Sequence, residues 1–133
     1  MTENEDKARG ALLGVACGDA LGRPVEFKSA DIISRDYDRL TEMVGGGTWN
    51  KPAGTVTDDT DQMLCIARSL VENGGFDARD VSERFVEWYE SGPFDIGNMT
   101  RDALGRLRGN EDEWHDVGKS VYDDLRDVPN AGA

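Results

Sequence analysis

Apolar side chains recur along this chain at the spacing of helices rather than strands. From about Glu5 to Ala20, the residues Ala8, Ala11, Leu12, Val15 and Ala16 fall on one helical face. Gly10, Gly14 and Gly18 recur every fourth position on an adjoining stripe. Each glycine costs a helix about 1 kcal/mol relative to alanine, so the stripe predicts close packing by another helix backbone. Asp19 sits at the end of this helix, where a carboxylate opposes the dipole and needs a partner; Arg23 is the nearest basic side chain. Pro24 forbids simple continuation. In Val25-Glu26-Phe27, plain alternation points Glu26 to solvent. Residues 31–40 predict a short helix ending near Leu40. Gly45-Gly46-Gly47 and Lys51-Pro52-Ala53-Gly54 are loop signals that bracket Trp49. No Gly-Lys-Ser/Thr follows them, so a nucleotide P-loop is unsupported.

The next helix runs from about Asp59 to Glu72, with Met63, Leu64, Ala67, Leu70 and Val71 as its stripe and Asn73-Gly74-Gly75 as its stop. Another follows Asp77, from about Ala78 to Glu90, burying Val81, Phe85, Trp88 and Tyr89 before Ser91-Gly92-Pro93. A third spans Met99 to about Arg108, with Ala103, Leu104 and Leu107 inward and Asn98 or Thr100 as its cap. The last covers roughly Glu111 to Leu125 and buries Trp114, Val117, Val121 and Leu125. No strand pair and no internal repeat is evident. The class is all-α.

The 133 residues suit one domain with a real core. The net charge of −12, from 27 acidic against 15 basic residues, argues against nucleic-acid and anionic-membrane partners. Acids spread along the whole chain resemble the solvated surface of cytoplasmic proteins from salt-loving organisms. No apolar run approaches a membrane span, and the polar N-terminus shows no signal peptide. Cys17 and Cys65 read as buried, reduced thiols, in keeping with a cytoplasmic location. His115, the one histidine, reads as a surface residue.

The densest chemistry lies in Gly54-Thr55-Val56-Thr57-Asp58-Asp59-Thr60-Asp61, with three carboxylates and three hydroxyls. Thr and Asp before an apolar run suit a helix N-terminus, where they cap free N–H groups and favour the dipole. Adjacent Asp58 and Asp59 exceed what one cap requires. Carboxylates this close repel unless screened, and an oxygen-only set suits a hard ion such as Mg²⁺ or Mn²⁺ rather than zinc. The two readings are compatible.

Four segments in order resemble the ADP-ribosylglycohydrolases, the group containing the dinitrogenase-reductase-activating glycohydrolase. Residues Gly10-Ala11-Leu12-Leu13-Gly14-Val15-Ala16-Cys17-Gly18-Asp19-Ala20-Leu21-Gly22 with Pro24-Val25-Glu26-Phe27 are similar to the opening of that family. Thr57-Asp58-Asp59-Thr60 resembles its first metal motif, and Trp88-Tyr89 through Gly92-Pro93 resembles the helix after it. Asp95-Ile96-Gly97-Asn98-Met99-Thr100-Arg101 resembles its substrate loop. The resemblance implies an orthogonal all-α helical bundle with two Mg²⁺ or Mn²⁺ ions in a cleft. It implies hydrolysis of the bond joining ADP-ribose to a protein side chain or a small acceptor. Carried over by position, Thr57, Asp58 and Asp59 are the implied metal ligands, and Glu26 and Asp95 the implied catalytic carboxylates. Gly97 and Asn98 are the implied substrate-binding residues.

The chain departs from that family in one respect. Complete members are longer and carry a second acidic motif of Asp-x-Asp-Thr type, and nothing like it follows Thr60 here. Asn130-Ala131-Gly132-Ala133 resembles the first residues of a further glycine-rich family motif. Residues 1–133 therefore read as the N-terminal portion of one such domain, truncated, with half its metal ligands missing. Two expectations follow: an enzyme completed by a complementing chain, or a non-catalytic remnant that keeps some ADP-ribose or metal contacts. Faces such as Val121 and Leu125 are expected to lack covering helices, which favours association.

Overall fold

The computed structural model describes residues 2–126. The segment at 130–133, matched above to a family motif, lies outside the described residues. Six α-helices follow in order: α1 (Glu3–Gly22), α2 (Ala30–Tyr37), α3 (Asp58–Asn73), α4 (Ala78–Glu90), α5 (Asn98–Leu107) and α6 (Trp114–Leu125). Short 3₁₀ turns occupy Arg23–Val25 and Glu111–Glu113. Among the described residues there is no strand, and one isolated antiparallel bridge joins Gly46 to Lys51. The all-α expectation holds, with α2 ending at Tyr37 because Asp38 turns to a positive φ of 56°. The chain forms two compact units, Met1–Asp61 and Gln62–Ala133.

In the first unit, α1 opens with a capping box in which Thr2 and Glu5 satisfy each other's backbone N–H groups. Its expected buried face is not buried: Ala20 is the buried residue of α1, whereas Leu12, Leu13 and Val15 are exposed. Small and apolar residues are spread around this helix, so no single stripe dominates. The glycine stripe does not serve close packing either, since a Cβ at Gly10, Gly14 or Gly18 would meet nothing within 4 Å. Cys17 is exposed, against expectation; Cys65, in the second unit, is buried.

The first unit is instead organised by Arg23, which is 3% exposed. Its Nε donates to the Thr55 carbonyl at 3.1 Å and its Nη1 to that of Gly46 at 2.8 Å. Nη2 donates to the carbonyls of Lys51 and Pro52 at 3.3 and 3.1 Å. One planar guanidinium thus gathers the whole loop from residue 46 to 55, a geometry that its fixed fork of donors makes possible. The glycine run serves the same loop. Gly47 has φ +73°, and a Cβ there would lie 2.7 Å from the Cα of fully buried Pro24.

In the second unit, α5 packs against α4 and α6 around Val86, Leu104 and Leu107, with Phe85, Trp88, Tyr89 and Val117 closing over them. Val121 is buried, so that face of α6 is not bare, while Trp114 is exposed rather than core. On α3 the expected stripe is rotated. Leu70 and Val71 are exposed, and Cys65 and Ser69, four residues apart, are buried instead. A polar network sets that rotation. Arg84 of α4 pairs with Asp80 and with Glu72 of α3, both at 2.6 Å, and Asp80 also bonds the Ser69 hydroxyl.

Candidate functional site

The last turn of α1 and the first turn of α3 meet through one carboxylate. Asp19 Oδ1 accepts from the Thr57 hydroxyl at 2.7 Å, and Oδ2 accepts from the Thr57 backbone N–H at 2.8 Å. Oδ2 also accepts from the Thr60 N–H at 3.3 Å and from the Thr60 hydroxyl. Asp19 therefore caps α3 from outside it, completing the exposed donors of that N-terminus. Thr57, expected to cap with its own oxygen, hands its hydroxyl proton to Asp19 instead. The expected Asp19–Arg23 pairing is replaced: the Asp19 carboxylate is met by the two threonines, and the Arg23 guanidinium donates to loop carbonyls.

Burial would raise the Asp19 pKa. The Thr57 N–H, the Thr60 and Thr57 hydroxyls and the Thr60 N–H outweigh it and hold the group below its ordinary value. Asp59 goes the other way. Although exposed overall, its carboxyl is pushed up, first by local desolvation and then by the charges of Asp58 and Asp19. Negative charge thus accumulates on one wall.

That wall faces a cleft of about 370 Å³ within the first unit, lined by Asp19, Glu26, Thr57, Asp58 and Asp59 together with Gly18, Gly22 and Arg23. Glu26 is half-buried here, whereas Phe27 is turned outward at 78% exposure. The alternation argument fails because Arg23–Val25 is a 3₁₀ turn, not a strand, and Phe27 follows with φ 64°. The structure accordingly gathers four of the sequence-derived site residues, Glu26, Thr57, Asp58 and Asp59. Asp95, Gly97 and Asn98 belong to the second unit, in the loop and first turn of α5. Gly97 is the N-cap there, with no side-chain cap bond, and Asn98 is the first helical residue rather than the cap.

The donors at the cleft suit a hard divalent cation in kind. They are all oxygens, Asp59 is pushed up by local desolvation and then by the charges of Asp58 and Asp19, and the Thr57 hydroxyl donates its proton to Asp19. They do not suffice in number. Among the described residues no three His, Cys, Asp or Glu side chains are grouped to hold an ion by themselves, and such ions take about six oxygen ligands. Sequence reasoning missed Asp19 as the organiser of this wall. Its signal was present: an acid at the wrong end of a helix dipole, whose partner was sought among basic side chains and not among hydroxyls.

The family model for ADP-ribosylglycohydrolase matches residues 1–132. The chain is 45% identical over 111 residues to an ADP-ribosylarginine hydrolase of Pseudomonas putida, covering 77% of this chain and 29% of that one. It is 43% identical over 101 residues to the ADP-ribosyl dinitrogen reductase glycohydrolase of Rhodospirillum rubrum, covering 76% and 34%. A solved ADP-ribosylglycohydrolase-related protein complex matches with a TM-score of 0.66 at 41% identity, over 81% of this chain and 35% of that chain. The chain spans about a third of the length of these relatives.

Proposed function

The chain belongs to the ADP-ribosylglycohydrolase family, and from that premise we propose that it supplies the first half of a metal-dependent site. The site hydrolyses the bond between ADP-ribose and an acceptor of the arginine side-chain type. The observation that carries the proposal is the acidic cleft of Glu26, Thr57, Asp58 and Asp59. Hydrolysis adds water across the anomeric carbon–nitrogen bond, with oxygen going to the sugar carbon and a proton to the leaving nitrogen. The sugar gains positive charge on the way, and clustered carboxylates stabilise it. Glu26, half-buried beside the wall, takes the proton of the attacking water; Asp95 is the further acid/base candidate, and Gly97 and Asn98 bind the ribose side. Thr57, Asp58 and Asp59 would contribute ligands to Mg²⁺ or Mn²⁺, which would supply charge to orient and polarise substrate oxygens. The remaining ligands come from a further polypeptide segment of the family type, in this chain's longer relatives or in a complementing chain.

The test is release of free ADP-ribose from an ADP-ribosylated arginine peptide with Mg²⁺ or Mn²⁺ in high KCl. Turnover that stops with EDTA and in Asp58→Ala is the expected result; turnover unchanged in Asp58→Ala removes the metal assignment. A second reading, a non-catalytic module that binds ADP-ribose or metal, is favoured by the incomplete ligand set. Ion binding without any ADP-ribose release selects it.

A further inference from the structure

We infer that Phe27 is a specificity-determining residue for the acceptor: its exposed ring, held at the rim of the acidic cleft, stacks on the planar guanidinium of the ADP-ribosylated arginine. The inference rests on the arginine-acceptor reading above. Val25 to Lys28 form a type II turn, closed by the Lys28 N–H donating to the Val25 carbonyl at 3.0 Å. Glu26 has φ −53° and ψ 138°, and Phe27 follows with φ 64°, at the turn position that ordinarily takes glycine. A bulky side chain at that φ is strained, and such strain persists only where the surroundings dictate the backbone. They do so here: Pro24 is fully buried with Gly47 packed closely on it, and the Thr48 hydroxyl donates to the Glu26 carbonyl at 3.5 Å. Packing does not explain the ring, which is 78% exposed. The free protein thus carries an apolar ring that is both strained and wet, next to a carboxylate that lines the cleft. Its gain lies in a complex. The acceptor is the part of the substrate that leads out of the cleft to solvent, since the rest of the modified protein lies there. Guanidinium groups stack on aromatic faces, and the cleft acids Glu26, Asp58 and Asp59 favour a cation at the same rim. Lys28, the next residue, lies over the Tyr37 ring instead, its Nζ 5.6 Å from the centroid.

The experiment uses the full 133-residue chain with Mg²⁺. Stopped-flow anisotropy of a fluorescent ADP-ribosylated arginine peptide gives its affinity before any release, and calorimetry gives that of free ADP-ribose. Phe27→Ala is expected to weaken the peptide about three- to fivefold, the worth of an exposed cation–π contact, and to leave free ADP-ribose unchanged. Phe27→Trp should keep the peptide affinity, and Phe27→Leu, apolar without an aromatic face, should lose it. Phe27→Gly should lose it too, yet melt above Phe27→Ala, because glycine is at ease at that φ; melting below Phe27→Ala overturns the strain argument. A Phe27→Leu chain that binds the peptide like the native one overturns the stacking. Equal losses for peptide and ADP-ribose, or none for either, overturn the inference as well, while native binding of either ligand keeps the functional reading. A native chain that binds neither overturns that reading and this inference together.

Discussion

Replacing Arg23 with lysine keeps the charge and removes the fork, and the structure fixes what that costs. The guanidinium reaches four carbonyls from three nitrogens, at 2.8 to 3.3 Å. A lysine has one nitrogen, and that single point cannot approach the Gly46 and Thr55 carbonyls, served by different arginine nitrogens, while also holding Lys51 and Pro52. At least two bonds are lost. Hydrogen bonds to a charged donor contribute about 1.5 kcal/mol or more each, so Arg23→Lys should destabilise the loop by about 3 kcal/mol. That is a large share of a typical folding free energy of about 5–15 kcal/mol.

The fitting assay is residue-resolved amide exchange, because the perturbation is local. Within this loop the Gly46 N–H donates to Lys51 O at 2.8 Å and the Thr55 N–H to Pro52 O at 3.3 Å. Tenfold per 1.4 kcal/mol turns the estimate into exchange about 100-fold faster at these amides. Exchange within about threefold of native would refute the argument that the fork, rather than the charge, holds the loop. Because residues 46–55 lead straight into Thr57, the same variant should weaken Mn²⁺ binding.

Gly47→Ala should destabilise the first unit by more than about 1 kcal/mol, through its positive φ and the 2.7 Å approach to Pro24, whereas Gly14→Ala should raise the melting temperature, since nothing opposes its methyl. Asp80 is held below its ordinary pKa by the Arg84 side chain and by Ser69, so its contribution is present above about pH 4 and lost as pH falls through the folded value. Asp80→Asn should lower the melting temperature at pH 7 and flatten the acid limb of a stability–pH curve; an unchanged acid limb counts against the network. Asp59→Asn should raise the melting temperature of the ion-free chain at pH 7, because the folded state there holds a carboxylate that local desolvation, and then the charges of Asp58 and Asp19, disfavour. The same change should weaken Mn²⁺ binding, and a lower melting temperature would contradict the charge argument.

Periodicity located five of the helices because burial repeats at 3.6 residues, and it found the α4–α6 core because Leu104, Leu107 and Val86 face inward as apolar side chains should. It failed where polar groups decide the rotation. Ser69 is fully buried and Val71 exposed because Asp80 and Arg84 claim the Ser69 side of α3, and hydropathy does not register an acceptor waiting on the next helix. It failed on α1 for the opposite reason, since a helix with small residues all round offers several faces and no ranking among them. Asp58 and Asp59 stood out from the residues alone, whereas Glu26 was legible only through the resemblance. Glu26 reads as solvent-facing in any strand, and its place in the cleft follows from a 3₁₀ turn that Pro24 and the buried Arg23 impose.

The order of the Thr57-Asp58-Asp59-Thr60 motif has a geometric reason. Residues three apart share a helix face, so Thr57 and Thr60 point the same way, inward, and both reach the one carboxylate of Asp19. The two residues between them are turned off that face by the helix rotation of about 100° per residue, and both line the cleft. The hydroxyls therefore anchor the helix end while the carboxylates stay unanchored toward the cleft. Were Asp58 or Asp59 drawn into capping their own helix, one acid would be lost to the cleft. An external cap removes that competition: Asp19 satisfies the N–H groups, so the acids of the motif need not. The cost falls on Asp59, whose pKa is raised by local desolvation first and then by the charges of Asp58 and Asp19. A cation would relieve that cost. Stability of the empty wall and affinity for an ion thus oppose each other at the same residue.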